Sequence, residues 1–184
     1  EDSYLISQCY LAMGETLRDR GDYEQSLDRY QQGLDIATAR GDLDVQGTTY
    51  ANIAVVGYYL GLIEQSEKMF EKAIQIAKAL GNQSRGAFGY NGLGILAQAR
   101  KDYAKAEEMF RQCLAIHLAS EDKPGQAISY NNLGTNALYA RQYDQALELL
   151  QKSFELHRQT GAQSEIGSCL INMAESWRRK GELE

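Results

Sequence analysis

Two histidines and three cysteines are the residues of this sequence whose types are the usual ligands of a structural zinc ion. His117 and His157 lie 40 positions apart, and the cysteines stand at Cys9, Cys113 and Cys169 without a CxxC pair. Zinc sites use ligands at short, characteristic spacings. We therefore predict reduced cysteines in a cytoplasmic protein and histidines near helix ends, where the helix dipole favours a cation, with no metal and no other cofactor.

Glycine spacing is the other feature that could do chemistry, because glycines line phosphate-binding loops. The spacing of four glycines loosely resembles such a motif: Gly86, Gly89, Gly92 and Gly94. A phosphate loop follows a strand, however, whereas these glycines lie inside a helical pattern of apolar residues. Serine, histidine and aspartate all occur, but at no spacing that suggests a catalytic triad. The sequence therefore predicts a protein that is not an enzyme.

The elements that carry these residues follow from a repeat of 40 positions, which runs without insertion or deletion. One aromatic and one small column show it best: Tyr10, Tyr50, Tyr90 and Tyr130, and Gly14, Ala54, Gly94 and Gly134. A repeat unit can bury its apolar face only against its neighbours. The period therefore predicts a single solenoid domain over residues 1–184, with units at 1–40, 41–80, 81–120 and 121–160 and a partial unit at 161–184.

Within each unit, apolar residues recur twice at helical spacing with a short polar break between the two stretches. The pattern predicts first helices near 3–20, 44–60, 84–100, 124–140 and 164–180, and second helices near 23–39, 63–79, 103–119 and 143–159. Gly41, Gly81 and Gly161 suit the left-handed residue that follows a helix end. The predicted fold class is all-α, made of antiparallel helix pairs whose small residues allow close approach.

Two five-residue segments carry a family resemblance. The segments Tyr90-Asn91-Gly92-Leu93-Gly94 and Tyr130-Asn131-Asn132-Leu133-Gly134 resemble the tetratricopeptide repeat (TPR) family. The usual unit of that family has about 34 residues, and the longer unit of this chain is similar to the TPR domains of spindle-orientation adaptors, kinesin light chains and bacterial regulators. The resemblance covers essentially the whole chain and implies a right-handed superhelical solenoid that serves as a protein–protein interaction scaffold. Because the chain does not begin with Met, we expect a segment of a longer protein.

Charge distinguishes the two kinds of helix. No charged residue lies in 45–63, 86–99 or 126–140, which fall in first helices, whereas second helices carry charges such as Glu67 and Lys68. A helix without charge on any side is usually covered on most sides. We therefore expect the second helices to form the outer, solvated wall. The resemblance implies that the first helices line a concave groove.

The predicted groove mixes aromatic, aliphatic and amide side chains and would bind a peptide or helix of a partner. Tyrosine suits an interface because its ring is apolar and its tip polar. Asparagine offers donors and an acceptor to a peptide main chain, and in related long-repeat TPRs asparagines near this place hold the ligand's main chain. The predicted peptide-binding residues are Asn52, Val55, Tyr58, Tyr59, Phe88, Asn91, Ile95, Gln98, Asn131, Asn132, Thr135, Leu138 and Tyr139.

Charge also restricts the class of partner. TPR domains that grip anionic chaperone tails use Lys and Arg on the first helices, and units two to four have none in the matching columns. An apolar or amphipathic segment is therefore expected. The net charge of −6 without a basic stripe argues against nucleic acid, and the lack of an apolar run of about 18 residues argues against a membrane span. Two alternatives stay open: a ligand- or peptide-sensing segment of a larger bacterial-type signalling or transcription regulator, and a spacer that self-associates end to end.

Overall fold

The computed structural model describes residues 2–181, and this part of the chain contains nine α-helices and no strand. The helices are α1 (Asp2–Asp19), α2 (Tyr23–Ala39), α3 (Leu43–Tyr59), α4 (Ile63–Ala79), α5 (Gln83–Ala99), α6 (Tyr103–Ala119), α7 (Lys123–Tyr139), α8 (Tyr143–Thr160) and α9 (Gln163–Gly181). Each predicted helix is present, with both ends within one residue of the predicted positions. The all-α prediction is confirmed.

Aspartates fix the beginnings of several helices. The side chains of Asp42, Asp102 and Asp122 accept the backbone N–H three positions on, each at 3.1 Å. An N-cap of this kind satisfies a donor that has no partner within the helix. Pro124 stands in the first turn of α7, where its missing N–H costs nothing. These local signals explain why the sequence marked the helix starts so closely.

The turns between helices adopt a left-handed residue at nearly every unit and half-unit boundary. Gly41, Gly81 and Gly161 have φ of 67°, 65° and 74°, as predicted. Lys101 and Arg141 take the same conformation with φ of 62° each, although a side chain is disfavoured there. The turn geometry is therefore imposed by the packing of the helix pair and does not depend on glycine.

The helices of a pair approach closely through small residues. A Cβ atom at Gly14 would lie 2.5 Å from the ring of Tyr30, and one at Gly134 would lie 2.7 Å from Cγ of Leu150. Ser26 Oγ donates to the carbonyl oxygen of Gly14 at 2.7 Å. The recurring small column thus makes room for a large buried side chain of the second helix.

The chain divides within α5 into two compact units, Glu1–Leu96 and Ala97–Glu184. In the first unit, the core cluster contains Leu11, Tyr30, Leu34, Ile53 and Val56. In the second unit, the fully buried large side chains include Phe110, Leu133 and Leu150. The single domain over residues 1–184 stays a prediction.

Candidate functional site

In the first of the two compact units, the groove predicted on the first helices lies along α3 and α5. Six of the predicted residues line one pocket with a volume of about 150 Å³, together with Phe70, Gly92 and Leu96: they are Val55, Tyr58, Tyr59, Phe88, Asn91 and Ile95. None of these lining residues is charged. The structure therefore brings together side chains that are up to 40 positions apart in the sequence.

Aromatic rings in contact define the walls of this pocket. The ring centroids of Phe70 and Phe88 are 6.3 Å apart at an interplanar angle of 61°, and those of Tyr58 and Tyr59 are 5.6 Å apart at 60°. Tyr59 also stacks on Tyr23 with centroids 4.9 Å apart and planes within 7°. Such contacts hold aromatic side chains in fixed orientations. The pocket is therefore formed before any partner arrives.

Two of these rings are open to solvent. Tyr59 is 57% exposed and Phe88 is 47% exposed. Large exposed apolar side chains at one place mark a surface that can gain by being covered. Tyr23 was not among the predicted residues, because it belongs to a second helix. Its column of large side chains at 23, 63, 103 and 143 was the available signal.

A second pocket of about 420 Å³ continues the groove toward the beginning of α5. It is lined by Thr48, Ala51, Asn52, Asn82, Ser84, Arg85 and Phe88, so Phe88 belongs to both pockets. Arg85 is the cation in this lining, and its Nη1 lies 2.9 Å from Oδ1 of Asp44. The guanidinium is already paired with a carboxylate.

The amides of the predicted site are partly engaged within the protein. Asn52 is only 8% exposed; Arg18 Nη1 donates to its Oδ1 at 3.4 Å, and its Nδ2 donates to Glu15 Oε1 at 3.3 Å. Asn131 Oδ1 accepts from the Cys169 thiol at 3.7 Å. These side chains bridge neighbouring first helices, so part of their hydrogen-bonding capacity is used without a ligand.

Gln98 and Asn136 form a further amide contact in the second unit. Gln98 Nε2 lies 3.5 Å from Asn136 Oδ1, and Asn136 Nδ2 donates to the carbonyl oxygen of Tyr103 at 2.9 Å. Asn136 is buried and was not among the predicted residues. Its place in the charge-free span 126–140 was the available signal, since buried amides need partners. Asn132, which was predicted, is half-buried on α7.

Four of the predicted residues lie where α7 faces α9: Asn131, Thr135, Leu138 and Tyr139. Leu138 and Tyr139 line a pocket of about 450 Å³ with Ile171, Asn172, Ala174, Glu175, Arg178 and Arg179. Leu138 is buried and forms a wall, whereas Tyr139 is exposed. Thr135 accepts a hydrogen bond from Asn172 at 3.2 Å.

Charge makes this second pocket different from the α3–α5 pocket. Glu175 pairs with Arg178 and Arg179, and hydrogen bonds from these guanidiniums lower the pKa of its carboxyl to about 2. The carboxylate is therefore ionised at any physiological pH. The two faces thus present different chemistry to a partner, one aromatic and uncharged, the other lined by an ion-paired cluster.

A third pocket, of about 470 Å³, lies between the second helices α2 and α4 and was not predicted. Its lining includes Leu27, Ile53, Leu62 and Met69 with charged residues such as Asp28 and Lys68. At the corresponding place in the second unit, Gln145 Nε2 lies 3.4 Å from Glu107 Oε1, and Arg111 also donates to that carboxylate. Leu27 occupies the position of Glu107 and cannot make this bridge.

The histidine and cysteine positions come together in a way that sequence spacing did not indicate. His117 Nδ1 lies 3.0 Å from Ser129 Oγ, Cys113 Sγ lies 3.5 Å from the same oxygen, and His117 Nε2 lies 3.9 Å from Asp122 Oδ2. Ser129 and Cys113 are buried, and burial raises the pKa of the Cys113 thiol. Because the Ser129 hydroxyl and the protonated Cys113 thiol are buried, a substrate cannot reach them. The role of the cluster is therefore structural: it joins α6 to α7.

His157 corrects one expectation. It does lie near the end of α8, where its carbonyl oxygen accepts from Ala162. Its side chain is only 4% exposed, however, and burial lowers its pKa. The ring is therefore uncharged at neutral pH, and burial outweighs the attraction of the helix dipole for a cation. Among residues 2–181 no group of three or more His, Cys, Asp or Glu side chains could hold a metal ion.

Comparison with solved structures identifies the fold. Aspartyl phosphate phosphatase F from Bacillus subtilis superposes with a TM-score of 0.89 at 16% identity, over 94% of this chain and 45% of that one. A signal transduction ATPase with a tetratricopeptide repeat sensor from Pyrococcus horikoshii gives 0.87 at 16% identity, over 96% and 28%. PilF of Pseudomonas aeruginosa gives 0.75 at 22% identity, over 99% and 72%.

These relationships show the fold alone, and this chain spans less than half of the first two of these neighbours. No curated protein matches the sequence. No helix in the described part of the chain is both long and apolar enough to cross a membrane. The family model for the tetratricopeptide repeat matches residues 5–79, 44–119 and 87–159, which together cover most of the chain. The all-α solenoid class is thereby confirmed, and the chain belongs to the tetratricopeptide repeat family.

Proposed function

We propose that this chain is a protein–protein interaction module that binds a peptide or helix of a partner in the groove along α3 and α5. TPR domains generally mediate protein–protein interaction, and the groove is where this chain offers a preformed, uncharged surface. The observation that carries the proposal is the aromatic pocket lined by six of the predicted residues. The role is that of a scaffold rather than of an enzyme.

The composition of the groove supports this role on energetic grounds. Binding energy at protein interfaces concentrates in a few aromatic side chains that become fully covered. Tyr59 and Phe88 are large, exposed and held in place by ring contacts, so covering them costs little side-chain entropy. Asn91 and Tyr58 also line the pocket and carry polar atoms beside this apolar surface. A mainly apolar or amphipathic segment matches this arrangement.

The same features disfavour other classes of ligand. Arg85 is paired with Asp44, so a carboxylate tail would have to displace an existing ion pair. The chain has a net charge of −6, which repels the phosphates of a nucleic acid. The three cysteines are unpaired, which fits a reducing, cytoplasmic setting.

A second candidate function is a sensor segment within a larger signalling protein. One of the structural neighbours is described as a signal transduction ATPase with a tetratricopeptide repeat sensor, and this chain superposes on part of it. In that role the groove would hold the sensed ligand or peptide. The two roles share a binding surface and differ in what the flanking sequence does.

Exposed apolar side chains on the first and last helices favour a third role, end-to-end self-association. Leu5, Ile6 and Met13 are exposed on α1, and Leu170, Ile171 and Trp177 are exposed on α9. Mass measured by light scattering over a hundredfold range of concentration separates the outcomes: a constant monomer mass removes self-association from consideration.

The test of the proposed function is capture of a partner by cross-linking in cells of the source organism. The groove variant is Tyr59→Ser/Phe88→Ser, which removes two exposed rings without opening the core. The matched control is Leu80→Ser/Leu118→Ser, which removes two exposed apolar side chains outside the groove. We expect a protein captured by wild type and by the control but lost by the groove variant. Equal capture by all three proteins would place binding elsewhere and refute the proposal.

A further inference from the structure

The α3–α5 pocket lies beside a position that carries no side chain. Position 92 is glycine, whereas the corresponding residues of the other units are Ala12, Asn52, Asn132 and Asn172. Asn52 donates to Glu15 on α1, and Asn172 donates to Thr135 on α7. In both places the amide donates a hydrogen bond to the first helix of the preceding repeat unit. At position 92 there is no side chain that could make such a bridge.

The space at Gly92 is partly occupied by an aromatic ring from the second helix. A Cβ atom there would lie 2.3 to 2.5 Å from three carbon atoms of the Phe70 ring. An asparagine therefore cannot be accommodated while Phe70 keeps its position. Phe70 and the missing side chain together convert a polar bridge into an apolar recess.

Beside position 92, two further positions of α5 carry uncharged, apolar side chains. Phe88 and Ile95 occupy the positions held on α9 by Ser168 and Glu175. The pocket between α7 and α9 contains the ionised carboxylate of Glu175. The pocket between α3 and α5 is lined there by aromatic and aliphatic side chains. Relative to α9, all three positions change in the same direction, towards an uncharged recess; relative to α7, which carries Ile128, Asn132 and Thr135, the change lies at 92 and 95.

The volume of the recess decides the size of its occupant. The pocket measures about 150 Å³, and an apolar cavity of about 150 Å³ inside a protein accommodates benzene. A charged group would lose its hydration there without a counter-charge. A methyl group would leave most of the recess empty.

We propose that this recess, here called the Gly92 pocket, is the specificity-determining anchor site of the groove. It receives one uncharged side chain of the size of leucine, methionine or phenylalanine from the bound segment and rejects charged side chains. The inference rests on the proposed function, because it names the chemistry of the segment that the groove binds. Replacing the anchor by alanine lowers affinity about tenfold or more, since a single methylene in such a pocket changes binding by about 10-fold or more.

The first experiment tests the pocket with a small probe on the whole chain. Toluene is titrated into protein labelled at Val and Ile methyl groups, with benzylammonium as the charged probe of similar size. We expect toluene to shift the methyl signals of Val55 and Ile95 saturably and benzylammonium to leave them unchanged. Unchanged signals with toluene, or equal shifts with both probes, would overturn the inference.

Two variants make the assignment specific. Ile95→Glu introduces at a half-buried position the residue type that α9 carries at Glu175, and Phe70→Leu/Gly92→Asn introduces the pair found at Leu150 and Asn172. Both are expected to abolish the toluene shifts at Val55. Because the double variant changes the core, Ile95→Glu keeps the test valid if the double variant fails to fold. Undiminished toluene binding by a folded Ile95→Glu protein would refute the proposal.

The second experiment separates this inference from the proposed function. Peptides are selected from a random display library on wild-type protein and then measured on Ile95→Glu and on Tyr59→Ser/Phe88→Ser. A shared leucine, methionine or phenylalanine whose replacement by alanine lowers affinity at least about tenfold supports the anchor. Peptides that need the groove rings but share no apolar position, or bind Ile95→Glu equally well, overturn the anchor and leave the proposed function standing. Toluene binding without any groove-dependent peptide refutes the proposed function while the preference of the pocket for an uncharged apolar group stands.

Discussion

Removal of the Tyr30 hydroxyl should stabilise this protein. Tyr30 is fully buried, and its Oη has no hydrogen-bond partner among the described residues, because the neighbouring Ser26 hydroxyl donates to the carbonyl oxygen of Gly14 instead. Leaving a buried polar group unsatisfied costs about 1–3 kcal/mol. Tyr30→Phe keeps the ring that packs against Gly14 and removes only that oxygen. We expect the free energy of unfolding at pH 7 to rise by about 1 kcal/mol.

The same substitution should change how stability depends on alkaline pH. Burial raises the pKa of Tyr30 from 10.0 to about 12, so between these values the unfolded chain loses this proton while the native protein keeps it. Stability therefore falls as pH rises through that window, by up to about 1.4 kcal/mol per pH unit. Below pH 10 the group adds no pH dependence. Tyr30→Phe lacks this loss, so its advantage over wild type should widen as pH rises above 10.

Urea unfolding at pH 7, 9, 10 and 11 measures both effects, with Tyr59→Phe as the control because Tyr59 is exposed. At neutral pH, about 1 kcal/mol corresponds to about 2–4 °C in Tm for a chain of this size. Comparing each variant with wild type at the same pH cancels the titration of the other groups. A loss of more than about 1 kcal/mol in Tyr30→Phe would mean that the hydroxyl has a hydrogen-bond partner, and the reasoning would fail. An advantage that stays constant from pH 9 to pH 11 would refute the raised pKa.

Three further substitutions test the packing and the turns, each by thermal or urea unfolding. Gly134→Ala places a Cβ atom 2.7 Å from Cγ of Leu150, so despite a better helix propensity it should lose about 1–3 kcal/mol; an unchanged midpoint would show that Leu150 can move. Lys101→Gly relieves a side chain at φ 62° and should gain about 1 kcal/mol, whereas a loss would show that the Lys101 side chain stabilises the turn. Asn52→Ala removes the bridge to Arg18 and Glu15 and should lose about 1 kcal/mol; unchanged stability would free Asn52 for a ligand.

The helices were predictable because each of them is defined locally. The period of 40 repeats the same apolar columns, and N-caps such as Asp42 and Asp102 stand immediately before the helices that they start. The turn at Lys101 was located by the period and by the polar break that Lys101 and Asp102 make, although the residue type of Lys101 argues against a left-handed conformation. Local pattern and period together fixed the ends of every helix to within one residue.

The candidate site was predictable in position and less so in detail. The charge-free spans pointed to the first helices, because they depend only on which side chains are present along one helix, but they did not distinguish α3 and α5 from α7. The partners of Asn52 and Asn131 could not be inferred, since Arg18 and Cys169 are 34 and 38 positions away and lie on different helices. The contact of His117 with Ser129 could not be predicted for the same reason. Such contacts depend on the relative rotation of packed helices, which periodicity does not give.

Departures from the repeat are the places to look for the function of this chain. A column that keeps its residue type, such as the small residues at 54, 94 and 134, serves the packing that every unit needs. A residue that differs between units changes the contacts at its own place: Gly92 stands in an apolar recess where Asn52 and Asn172 make amide bridges, and Leu27 cannot make the bridge that Glu107 makes to Gln145. Phe88, Gly92 and Ile95 lie on one face of α5 and line one pocket, and all three replace polar residue types found on α9. Val55 and Ile128 show that two of these columns also take apolar side chains in other units, so the glycine at position 92, beside the Phe70 ring, is the change that leaves room for the recess, and recognition of an uncharged side chain gives that change a use.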